Sequence, residues 1–135
     1  MKLLSFETAG DQGRTAHLGA LVSGDADEGE LIDLTAATRA LLASESMADE
    51  GAKRIATALV PGSLLGFIEG GARSRDLADE ALAAALQRGW ENDPLGARIR
   101  YSTKEITHLP AITAPPLLRD FMAFAQHVAN ARKLR

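Results

Sequence analysis

The apolar pattern of this chain changes period twice, and that limits the folds open to it. Lys2–Phe6 reads as a short strand, and Gly10-Asp11-Gln12-Gly13 as the turn that follows. His17–Ser23 repeats every second residue, with Leu18, Ala20 and Val22 on one face of a second strand. An acidic turn at 24–29 leads to a third strand, Glu30–Leu34, carrying Leu31 and Ile32. The spacing then becomes helical. Thr35 is the expected N-cap of a helix over Ala36–Leu42. A second helix is expected over Ala48–Leu59, stopped by Pro61, and a short helical piece over Ser63–Glu69 before Gly70-Gly71. Ser74 is the expected cap of Arg75–Arg88, whose apolar stripe is Leu77, Ala81, Ala84 and Ala85, with Gly89 as its stop. Period two returns in Ile99–Ser102 and Glu105–Leu109.

The order β, then α, then β predicts an α+β domain over residues 1–110, a small antiparallel sheet or partly open barrel with several helices. Pro110, Pro115 and Pro116 resist both helix and central strand, so residues 111–135 read as a linker and then a helix over Leu117–Arg135. Aromatics are only 4% of the 135 residues while apolar residues are 46%, so the interior has to be built from Leu, Ala, Ile and Val.

Charge narrows the partners. The net charge is −3 with both signs interspersed, and no basic patch of the kind nucleic acid demands is present. No polybasic run and no apolar stretch near 18 residues points to a membrane. There is no cysteine, which excludes a disulfide framework and a thiolate metal site. The start Met1-Lys2-Leu3-Leu4-Ser5-Phe6-Glu7 lacks the apolar core of a secretory signal, so a cytoplasmic location is expected.

Several constellations read as structure. Counted from Asp25, a calcium loop would need Gly at position 6 and Glu at position 12, where this chain has Glu30 and Ala36. Glu28 and Glu30 would share a strand face as paired ligands do, yet they sit in a Gly-flanked acidic turn. His17 and His108 are lone histidines in strands, the usual place of a surface or satisfied core residue. Gly62, Gly66, Gly70 and Gly71 lack the Lys-Ser/Thr ending of a phosphate loop.

The C-terminal segment carries more. Leu117, Phe121, Phe124 and Val128 form one helical stripe, and Asp120 and His127, two turns apart, fall on nearly one face. The run Arg119-Asp120-Phe121-Met122, followed by Gln126-His127 and Asn130 and preceded by the Pro-rich 109–116, resembles the opening of the fumarylacetoacetate hydrolase catalytic domain. Upstream, Met1–Phe6, 18–22, 31–34 and Val60-Pro61-Gly62-Ser63-Leu64-Leu65 are similar to the smaller N-terminal domain of bacterial members.

The resemblance implies a β-rich catalytic domain opening at the terminal helix and continuing after Arg135. It implies Mg²⁺ or Ca²⁺ in the complete enzyme, held by Asp120 with a downstream Glu-x-Glu pair and a further Asp. His127 would be the general base for carbon–carbon hydrolysis of a β-dicarbonyl or 2-oxo acid. A substrate-facing Tyr of many members is Met122 here, and a thioether cannot replace that hydroxyl. A homo-oligomer is compatible with the family. The reading that competes is a non-catalytic module that docks a partner through its C-terminal helix.

Overall fold

The computed structural model describes residues 1–8, 15–119, 130, 132 and 133. Among them the elements run β1 (Lys2–Thr8), β2 (His17–Gly24), β3 (Gly29–Asp33), α1 (Leu34–Ser44), α2 (Asp49–Leu59), α3 (Leu64–Glu69), α4 (Gly71–Arg88), β4 (Arg100–Ser102) and β5 (Ile106–His108). The class is α+β, with a five-stranded antiparallel half-barrel sheet and four helices. Strand order is β4-β3-β2-β1-β5, and every pairing is antiparallel.

That order forces the sheet to curl. β4 and β5 lie on opposite edges, yet only the 3₁₀ turn Thr103–Glu105 separates them in the chain. The edges of a flat five-stranded sheet would stand roughly 19 Å apart at normal strand spacing. Four chain steps from Ser102 to Ile106 reach about 14 Å at most when extended, and a 3₁₀ turn is shorter still. The rings confirm the closure. Phe6 on β1 and Tyr101 on β4 are three strand spacings apart in a flat sheet, about 14 Å, but their centroids are 5.4 Å apart.

Strand register assigns the two faces. Leu3, Ala20, Ile32 and Arg100 are successive partners across β1, β2, β3 and β4 and share the helix-covered face. Leu18 and Ala20 pack there with Leu34, Val60, Phe67 and Ala78. Ile32 joins Ala36, Ala37, Ala40, Leu41, Ala81, Ala85 and Ile99 in a neighbouring cluster, with Val22 against it. The alternation Leu18, Ala20, Val22 therefore points at the helices, as the period-two pattern predicts. The alanines have a consequence: with methyl groups at the contact, α1 and α4 can approach closely, and α1 is buried on most of its circumference.

The opposite, concave face carries Phe6, Gly19 and Leu31. Phe6 and Leu31 are both fully buried, and neither belongs to the helix-packed clusters. Gly19 makes this possible. A Cβ there would stand 2.5 Å from Leu31 Cδ1 and 3.1 Å from Phe6 Cε1. Both side chains thus occupy the space over a residue that has none. Gly19→Ala should lower stability by about 1–3 kcal/mol through overpacking, read as a drop in the urea midpoint at constant m-value; an unchanged midpoint would show that Leu31 can move aside freely.

Three local expectations are corrected. The N-cap of α1 is Asp33, not Thr35: the Asp33 carboxylate accepts from Ala36 N–H at 2.9 Å, and its backbone is extended. An anionic acceptor at the cap suits the helix dipole better than a hydroxyl, and Thr35 Oγ1 instead donates to the Val60 carbonyl at 2.7 Å. Ser74 is not a cap either; α4 begins three residues earlier, after Gly70, and Ser74 is buried inside it. Gly71 takes a positive φ of 66° that allows the chain to turn from α3 directly into α4. The buried stripe of α4 accordingly centres on Ser74, Ala78, Ala81 and Ala85, with Leu77 and Ala84 at its margin.

The third correction concerns the connector. Leu117–Arg119 are irregular and exposed, so no helix starts at Leu117. Leu117 and Leu118 are 63% and 87% exposed, and a first helical turn with so little packing does not offset its nucleation cost. Asn130, Arg132 and Lys133 are helical. Asp120, Met122 and His127 lie outside the described residues.

Candidate functional site

A group of polar side chains lies where the mouth of the half-barrel meets α1 and α2. Strand β2 opens there with His17, and β3 ends there with Asp33. His17 Nδ1 lies 2.7 Å from Asp33 Oδ2. The other carboxylate oxygen of Asp33 caps α1. One buried carboxylate thereby ties β2, β3 and the start of α1 together. The His17 ring also stacks on Phe6 at 5.1 Å between centroids, so its apolar face belongs to the concave core. A cleft of about 200 Å³ opens beside this pair, with Thr57, Gly62, Arg98 and Tyr101 among its walls.

Two further charges border the cleft. The Arg98 guanidinium sits 4.9 Å from the Tyr101 ring centroid, within cation–π range, and its Nη2 donates to Glu105 Oε2 at 2.8 Å. Arg39 on α1 pairs with Asp93, whose side chain is wholly buried. Asp93 Oδ1 also accepts from the Leu95 and Ala97 amides, each at 2.9 Å, and so shapes the turn that brings Ile99 into the core. Glu105 closes a capping box on the 3₁₀ turn. The Ser102 N–H foremost, and then Arg98, hold its carboxyl below the usual value. The stabilisation that depression provides is present at neutral pH and is lost as pH falls through the folded value.

The acidic turn closes the hairpin of β2 and β3, the place its sequence suggests. Asp25 Oδ1 accepts from the Asp27 and Glu28 amides at 3.0 and 2.9 Å. The backbone amides of Glu28 and Asp27 lower the Asp25 pKa. Glu28 pairs with Lys104 at 2.6 Å across the turn, on the surface. His108 lies exposed on edge strand β5. Among the described residues no group of three or more His, Cys, Asp or Glu side chains could hold a metal ion. Nor is any described helix long and apolar enough to cross a membrane.

Sequence reasoning treated His17 as a lone histidine and gave the cap to Thr35, and so missed the His17–Asp33 pair. One signal was available: Asp33 stands immediately before the apolar helical run, the position that an Asp N-cap takes. The Arg39–Asp93 pair, 54 positions apart, had no local signal.

Asp33 should be worth more than a cap alone. Asp33→Ala should cost roughly 2 kcal/mol, about half from the lost N-cap and half from the lost His17 bond. Asp33→Asn keeps an oxygen for the Ala36 amide and should cost less. Equal losses in the two variants, by urea unfolding, would show that the cap oxygen contributes nothing.

Comparison of the chain with protein-family models, with characterised proteins and with solved structures finds no match.

Proposed function

We propose that this chain is the N-terminal portion of a metal-dependent hydrolase of the fumarylacetoacetate hydrolase kind, acting on a carbon–carbon bond of a β-dicarbonyl or 2-oxo acid. The observation that carries the reading is the run Arg119-Asp120-Phe121 with Gln126-His127 and Asn130 in register behind it. Its placement supports the reading too. The last described strand ends at His108, Leu109 and Ala111 still bond Ser5 on β1, and the exposed, irregular 112–119 then precedes that run. Residues 1–110 are then a module beside the chemistry.

In this reading Asp120 is a carboxylate ligand of Mg²⁺ or Ca²⁺, and His127 accepts a proton from the attacking water. The ion supplies Lewis-acid polarisation of the substrate carbonyl. In this reading the remaining carboxylate ligands come from the catalytic domain that the reading requires.

The 135-residue chain by itself should therefore bind Mg²⁺ no more tightly than about millimolar, roughly 4 kcal/mol, and should not hydrolyse acylpyruvates. A hard divalent ion takes about six oxygen ligands, and one Asp leaves it mostly hydrated. Calorimetry with Mg²⁺ and an acylpyruvate assay on the purified chain check this. Micromolar binding or clear turnover would move the active site away from Asp120 and His127. In the complete enzyme, Asp120→Asn should weaken metal binding, whereas His127→Ala should lower turnover with the metal still bound.

A second reading, a non-catalytic module that docks a partner through its C-terminal helix, is favoured by the exposed apolar pair Leu117 and Leu118. Sequencing the gene past codon 135 separates the two. An in-frame Glu-x-Glu pair supports the hydrolase; a stop codon there supports the docking module.

A further inference from the structure

We draw no further inference here: the strongest candidate, the cleft of about 200 Å³ at the mouth of the half-barrel between β2, α1 and the start of β4, carries nothing because its charged side chains are already engaged within the fold, Asp33 with His17 and the α1 cap, Arg39 with Asp93, and Arg98 with Glu105.

Discussion

Asp93→Ala should destabilise the protein by about 3–5 kcal/mol, the usual cost of leaving one member of a buried ion pair without its counter-charge. The Asp93 side chain is wholly buried, and Arg39 keeps only 15% of its side chain in solvent. Removing the carboxylate strands the guanidinium between α1 and the 93–97 turn. It also deprives the Leu95 and Ala97 amides of their acceptor, and unmet donors add to the cost. A loss of this size approaches the whole stability of many small domains, so the alanine variant alone could be ambiguous. Asp93→Asn removes the charge and retains an oxygen for the two amides. It should remain folded and fall between wild type and alanine in urea unfolding. A loss below about 1 kcal/mol in the alanine variant would show that water reaches Arg39 as freely as on a surface.

Phe6→Ala should cost about 3–5 kcal/mol, as large-to-small changes of a buried aromatic do. Phe6 is fully buried, stacked on His17 and tilted against Tyr101. It is the largest fully buried side chain on the concave face, and Gly19 beneath it cannot close the cavity. At the alanine-lined contact of α1 with α4 each side chain buries only one methyl group, so an Ala→Gly truncation there should cost less. Phe6→Leu should recover more than half of the loss. Near-ultraviolet circular dichroism supplies a separate readout, since Tyr101 loses its aromatic neighbour in either variant. An alanine variant as stable as wild type would mean that the half-barrel does not depend on its concave core.

Much of the element order was legible. Leu18, Ala20 and Val22 announce β2 by alternation, and they do face the helices. Gly89 stops α4 in a left-handed conformation, φ 64°, the role a glycine after a periodic run suggests. The errors fell at helix starts. At 33–35 an Asp and a Thr compete two residues apart, and the carboxylate wins because its charge suits the helix N-terminus. At 70–74 the Gly-Gly pair reads as a break, while in the fold it is the bend that lets α4 begin early. The candidate site divides similarly. Asp120, Met122 and His127 rest on pattern in the sequence, and the His17–Asp33 pair came from the fold.

Period, turn residues and composition by themselves determined that this chain runs from strands to helices and back to strands, that it is α+β, and that Leu and Ala dominate its interior. Those properties are written within a dozen neighbouring residues, where backbone geometry fixes which side chains share a face. Only the tertiary structure decided that the sheet curls into a half-barrel. The decision rests on contacts distant in sequence. Thr103 bonds both backbone groups of Gly29 from 74 positions away, and the Ser5 hydroxyl donates to the Ala111 carbonyl 106 positions on. Such pairs close long loops, and the entropy of that closure has to be offset by burial elsewhere. No local pattern records which distant groups will meet.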